Sequence, residues 1–236
     1  MTVLSVLSNV KQAIAPVNEV ISNVRGKVSE SATFAWQFIK HPKTLGTPFE
    51  LSPYVAKELL SHVSSLKGKA SRCYLEVGAG AGGISEHLIK KLRPQDKLYL
   101  VEIDPVLCEV LKRKFGKIHN VFIRNTSIQQ WKNEEKIFDA IISTVPLNSL
   151  PSKESVKSIL ERYAKLIKKD GTISFAEYVG TSTISGLVRF GKSKDAYSDL
   201  QKIKRVFFEN TAVETAIIKA NIPPARVIHC KINTSK

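Results

Sequence analysis

"CYLEVGAGAGGISEHLIKKL", residues 73–92, decides the fold: an apolar run of strand length enters a knot of glycines, and the glycines open an amphipathic helix. Gly78, Gly80 and Gly83 satisfy G-x-G-x-x-G, and Gly78, Gly80 and Gly82 equally satisfy G-x-G-x-G, so the glycines alone do not name a ligand. In either reading they let the backbone turn tightly and approach a bound group, and the helix start offers free N–H donors.

Working outward, strand-like runs at about 73–77, 98–103, 120–124, 137–143 and 171–178 alternate with helical runs near 82–92, 105–115 and 152–168. That alternation predicts a parallel sheet with both faces covered. Ser52-Pro53 reads as a cap with proline at the first helical position, starting a helix through about Val63. Two further strands, 213–219 and 226–232, flank Pro223-Pro224 and predict an antiparallel pair at one sheet edge.

The chain has 236 residues, 43% of them apolar, enough for one sizeable core. Cys73, Cys108 and Cys230 are odd in number and far apart, which fits buried thiols in a reducing compartment better than a disulfide or a metal cluster. No run approaches the roughly 18 apolar residues that would span a bilayer, and the N-terminus lacks the pattern of a secretory signal. The formal net charge of +15 favours a polyanionic surface, either nucleic acid or an acidic membrane.

Residues 1–45 differ from the remainder, 46–236, and divide the chain into an N-terminal helical extension and an α/β domain. Val3, Leu7, Val10, Ile14, Val17, Ile21, Val24 and Val28 form one narrow helical stripe, interrupted at Pro16. The charges that would flank a coiled-coil seam are missing. Two readings remain: a helix packed on its own domain, or an amphipathic helix lying in a lipid interface.

Carboxylates narrow the ligand. Glu76 stands two residues before the first glycine, where it would repel a pyrophosphate and attract a cationic aminoacyl sulfonium. Glu102 closes the next strand in "LYLVEID" (98–104), placed to accept hydrogen bonds from ribose hydroxyls. The pair favours S-adenosylmethionine over NAD.

With "EVGAGAG" and "VEID" the sequence resembles the class I S-adenosylmethionine-dependent methyltransferases, and within them the bacterial soluble, membrane-associated phospholipid N-methyltransferases. The finer resemblance rests on "FAWQFIKHPKTLGTPFELSPYVAKEL" (34–59), "IISTVPLNSLPSKES" (141–155) and "ANIPPARV" (220–227). It implies a doubly wound, Rossmann-like, seven-stranded and mostly parallel α/β sheet behind the N-terminal amphipathic extension. The cofactor contacts it implies are Glu76, Gly78, Gly80, Gly82, Glu102, Ile103, Thr126, Ser127 and Ser143. Departures from the family pattern are Thr144, where a glycine is usual, "RNTS" (124–127), where many relatives carry Gly-Asp-Ala, and "FAEYVG" (175–180), which differs from a common Gln-Phe-Thr-Tyr pattern while retaining Tyr178.

The implied reaction is attack by a lipid amine on the sulfonium methyl, taking phosphatidylethanolamine toward phosphatidylcholine without a metal. Ser143, Pro146 and Tyr178 would surround the amine, with Tyr178 or His41 as proton acceptor. Trp36, Phe38 and Tyr54 offer aromatic faces to the methylated product, and Lys43 and Arg226 offer cations to the phosphate. Each also has a plain structural reading, as core or as a solvated surface group. The protein is then expected in the cytoplasm, held peripherally on the inner face of the membrane by its stripe and by lysines such as Lys40, Lys43, Lys57 and Lys204. An rRNA adenine N6-dimethyltransferase is the alternative enzyme; it would want an aromatic ring after the strand-four proline, where this chain has Leu147. A nucleic-acid partner is therefore not expected. The third reading is a methyltransferase-like membrane-binding protein that has lost catalysis.

Overall fold

The computed structural model describes residues 51–64, 70–132, 137–150, 152–179 and 193–232; the segment 1–45 and its boundary lie outside them. In chain order the elements are α1 (Pro53–Leu59), α2 (Ser61–Ser64), β1 (Cys73–Val77), α3 (Gly83–Ile89), β2 (Lys97–Glu102), α4 (Pro105–Phe115) and β3 (Val121–Asn125). There follow β4 (Phe138–Ser143), a 3₁₀ turn (Leu147–Ser149), α5 (Lys153–Leu166), β5 (Ile167–Tyr178), α6 (Ser193–Thr211), β6 (Ala212–Ile218) and β7 (Ala225–Cys230). The seven strands form one sheet in the order β3-β2-β1-β4-β5-β7-β6. β1 to β5 run parallel, and β7 joins β5 and β6 in antiparallel fashion. The class I methyltransferase fold and its antiparallel edge, both expected from the sequence, are present.

Side chains that alternate along the strands build two cores. Tyr74, Leu98, Leu100, Ala140, Ile142 and Val227 face α1, α3 and α4, which contribute Val55, Leu59, Ile84, Leu88, Leu111 and Phe115. Leu75, Val77, Ile141, Ile173, Phe175 and Ile228 face the other way, against Val156, Leu160 and Tyr163 of α5 and Leu200 of α6. Each such side chain removed from water contributes about 1.5–3 kcal/mol before entropy is counted. Parallel strands buried on both faces explain why β1, β2 and β4 read as nearly unbroken apolar runs.

Two boundaries and one helix differ from expectation. The single helix expected through Val63 breaks after Leu59, because Leu60 leaves the helical region (φ −99°, ψ 7°). β5 starts at Ile167, directly out of α5, and pairs with Phe138 through a register shift before Ala140. The nineteen-residue α6 was not anticipated at all, although Leu200, Ile203 and Phe207 carry helical spacing.

The glycine turn settles one ambiguity. Gly78, Gly80 and Gly82 all take positive φ (78°, 57° and 93°), whereas Gly83 is the first residue of α3. The constrained pattern is therefore G-x-G-x-G. A Cβ on Gly82 would lie 2.6 Å from the Phe115 ring, while one on Gly83 meets nothing within 4 Å. Gly82→Ala is accordingly expected to cost about 1–3 kcal/mol and Gly83→Ala to be neutral or slightly stabilising, as read by thermal unfolding.

Candidate active site

Because β1 to β5 are parallel, Val77, Glu102, Asn125, Ser143 and Tyr178 all end at one rim of the sheet. There the Glu102 carboxylate is the central acceptor. One oxygen takes the Gly80 N–H (2.8 Å), and the other takes those of Ile103 (2.8 Å) and Asp104 (2.9 Å). Burial raises its pKa, and the Asp104, Gly80 and Ile103 N–H groups oppose the rise. Asp104 itself caps α4, accepting from Val106 N (2.8 Å) and Leu107 N (3.2 Å).

Glu76 is in the opposite condition. It is 0% exposed, and neither carboxyl oxygen has a hydrogen-bond partner among the described residues; nor does the hydroxyl of buried Ser85. Burial pushes its pKa up to about 8, with a smaller lowering from the nearby Ser85 hydroxyl, which is not in hydrogen-bond geometry, and a further push from the Glu102 charge. An orphaned acid beneath a left-handed glycine turn fits a ligand that brings a cation and hydrogen-bond donors to it. It fits a pyrophosphate badly.

Two of the departures from the family pattern brace this turn and the one after β2. Thr144 donates through Oγ1 to the Gly78 carbonyl (2.7 Å), and its N–H donates to Val77 O (3.1 Å). Asn125 donates from Nδ2 to the carbonyls of Glu102 and Ile103, both at 3.1 Å. Lys114 of α4 donates to Ala81 O (2.8 Å). Thr126 gives its N–H to Glu102 O (3.0 Å), and the Ser127 hydroxyl accepts from Gln130 N (3.3 Å). Ile103 is exposed at the rim, beside the Glu102 carboxylate.

On the acceptor side the structure separates residues that the sequence reading grouped together. Ser143 is 1% exposed and shares a 2.9 Å hydrogen bond with buried Tyr163, so its hydroxyl is committed to the core rather than to a cofactor or an amine. Pro146 caps the 3₁₀ turn that carries Asn148. Arg226, expected at a phosphate, is ion-paired through Nη2 with Glu177 Oε2 (2.8 Å). Lys204, expected at a membrane, is 3% exposed, pairs with Glu177 and donates to Asn148 Oδ1 (2.6 Å). Gln201 shares that acceptor (2.9 Å). Burial lowers the Lys204 pKa, and Glu177 opposes that shift. Tyr178 is half-buried at the end of β5, and Tyr54 stands exposed in the first turn of α1. Trp36, Phe38, His41 and Lys43 lie outside the described residues. The sequence reading missed Asn125, Asn148, Tyr163 and Glu177; the signal for the first and last was their place within motifs that depart from the family pattern.

Among the described residues no group of His, Cys, Asp and Glu could hold a metal, and no helix is long and apolar enough to cross a membrane. The thiols of Cys73, Cys108 and Cys230 are free, and burial pushes each up to about 11, so they are poor nucleophiles.

Glu76 sets a pH dependence. With a folded pKa near 8, the native state keeps a proton that the unfolded chain has already lost above its ordinary value of 4.5. Stability from this group is intact below that lower value and is lost as pH rises toward 8. Glu76→Gln is expected to flatten the fall of melting temperature between pH 5 and 8, measured by thermal unfolding across that range.

Comparison with known proteins agrees with this geometry. Residues 75–171 match a family model described as a methyltransferase domain. Ribosomal RNA small subunit methyltransferase A of Borreliella burgdorferi is 36% identical over 104 residues, 44% of this chain and 36% of that protein. The chain thus spans about a third of the length of the first such relatives. An ornithine lipid N-methyltransferase of Singulisphaera acidiphila is 22% identical over 204 residues, covering 84% of this chain and 94% of the relative. Among solved structures, the CurJ carbon methyltransferase (TM-score 0.57, 20% identity) covers 75% of this chain and 53% of its own. The N-methyltransferase NodS of Bradyrhizobium japonicum, in complex with S-adenosylhomocysteine, superposes with a TM-score of 0.55 at 17% identity, covering 75% and 85%. The match to a methyltransferase domain over 75–171 and the class I sheet agree with S-adenosylmethionine as methyl donor, and the orphaned acid under the glycine turn fits its cation.

Proposed function

We propose that the protein is an S-adenosylmethionine-dependent N-methyltransferase acting on the amino head group of a membrane lipid, phosphatidylethanolamine toward phosphatidylcholine. The observation that carries this reading is coverage. Similarity to the ornithine lipid N-methyltransferase runs through nearly the whole of both chains, whereas similarity to the ribosomal RNA enzymes spans under half of this one. The strand-four loop supports it: Leu147 follows Pro146 and is 1% exposed in the core, so no ring is presented there for a base to stack on.

The bound sulfonium supplies an electrophilic methyl group. The chain's own task is to align a neutral amine with it and to exclude competing water, and alignment of this kind is worth several kcal/mol. Gly78, Gly80 and Gly82 permit the close approach, Glu102 receives the ribose hydroxyls on lone pairs its three N–H donors leave open, and Glu76 receives the ligand's cation. Tyr178, at the end of β5, would accept the proton released from the amine.

Two measurements test this reading. Offered radiolabelled cofactor with phosphatidylethanolamine vesicles, ornithine lipid vesicles and ribosomal RNA side by side, the protein is expected to label lipid; label in RNA alone sinks the proposal. Binding of the cofactor should also release protons from Glu76 and so tighten as pH rises from 6 to 8. Calorimetry in buffers of different ionisation heat reads this directly, and Glu76→Gln should abolish the release. For the stripe outside the described residues, deletion of 1–28 should lower vesicle binding sharply while cofactor affinity survives.

A further inference from the structure

We infer that the β6–β7 turn and the first turn of α1 form a second, rigid membrane contact that enters the lipid interface and holds the catalytic rim against it. This inference rests on the lipid-amine reading and adds a surface that the N-terminal stripe does not provide.

The turn between β6 and β7 spans residues 219–224, and Ile222 at its tip is 83% exposed, the most exposed large apolar side chain of the described residues. It is held in position from beneath. Asn221 is 3% exposed; its Oδ1 accepts the Ser52 N–H (2.7 Å) and its Nδ2 donates to Pro223 O (2.6 Å). The Val179 N–H donates to Pro224 O (2.7 Å). These bonds gather three exposed apolar side chains at one place: Ile222, Val179 beyond β5, and Tyr54, two residues past Ser52. Among the described residues, none buries the Ile222 side chain.

Position identifies the occupant. Ala225, the first residue of β7, pairs with Tyr178, the last of β5. The turn therefore stands at the same rim as the glycine turn and the Pro146 loop, on the side an acceptor must approach. Two exposed lysines flank the apolar tip: Lys219 in the turn itself, and Lys57, one helical turn beyond Tyr54 and on the same face of α1. Glu177, the acid nearest in the register, is buried and neutralised by Lys204 and Arg226. A hydrophobic tip ringed by cations, with a tyrosine at its base, matches an anionic bilayer surface, where aromatic side chains settle at head-group depth and each lysine near the surface strengthens binding about fivefold.

The test uses the full chain and vesicles of phosphatidylglycerol, which carry no amine, so that binding is read apart from methyl transfer. Ile222→Glu is expected to weaken sedimentation with these vesicles at least about tenfold. Val213→Glu, at the far end of the β6 edge strand and also exposed, should leave it unchanged. Both variants should keep cofactor affinity. In Ile222→Trp, brominated acyl chains should quench fluorescence beyond what the native Trp36 and Trp131 show. Undiminished vesicle binding by Ile222→Glu, equal losses in both glutamate variants, or no added quenching overturns the inference, as does a loss of ribosomal RNA binding with vesicle binding intact. Should the wild-type protein insert its tip and yet label no lipid, the surface stands and the proposed reaction falls.

Discussion

Three backbone N–H groups converging on the Glu102 carboxylate organise the rim. Gly80 belongs to the turn after β1, while Ile103 and Asp104 belong to the turn after β2, so one side chain ties together two loops that the sheet alone would leave independent. The bonds are charge-assisted and each is worth more than a neutral one. Gly80 takes positive φ where its N–H meets the carboxylate, a conformation glycine adopts without steric cost. Asn125 and the Cys108 thiol complete the arrangement from behind, by donating to the Glu102 carbonyl.

Glu76 shows what the same residue type becomes without those donors. Both acids are buried at the carboxyl ends of adjacent strands, one satisfied by three N–H groups and the other by none. A buried carboxyl that lacks donors holds its proton instead of its charge. The unligated site therefore stores an unfavourable group that a cationic ligand would relieve, and an anionic one would aggravate. This difference in solvation separates a methyl-donor site from a dinucleotide site more firmly than the glycines do, since both kinds of site share the turn.

Much of this was legible from local pattern. β1, its glycines and Glu102 follow from strand length, turn chemistry and the acid that closes β2, all of which are encoded within thirty residues. The antiparallel edge followed from two short apolar runs around paired prolines. What escaped is non-local. Ser143 reads as a strand-end hydroxyl facing a cleft, until α5 brings Tyr163 over it. Lys204 and Arg226 read as free cations, until Glu177 from β5 is placed between them. No spacing rule predicts that a lysine on a charged helix is the one turned inward. α6 shows the same gap: its apolar spacing is real, but its charges conceal a face that only the Phe175 side of the sheet reveals.

The departures from the family pattern look, one by one, like losses. Together they form a coherent change. With Thr144 in place of a glycine, its hydroxyl takes the Gly78 carbonyl, and a Cβ on Gly78 would come within 3.2 Å of that same oxygen, so turn and threonine constrain each other. With Asn125 in place of the usual loop residues, the backbone of Glu102 and Ile103 is fixed by an amide. Glu177 occupies a strand-five position where the family pattern has threonine, and it is balanced by Lys204 and Arg226 without leaving a net charge buried. Each of these side chains bonds an element of the rim to its neighbour. Such couplings hold the rim rigid, and a rigid rim is the pre-organisation that an alignment-driven methyl transfer would require.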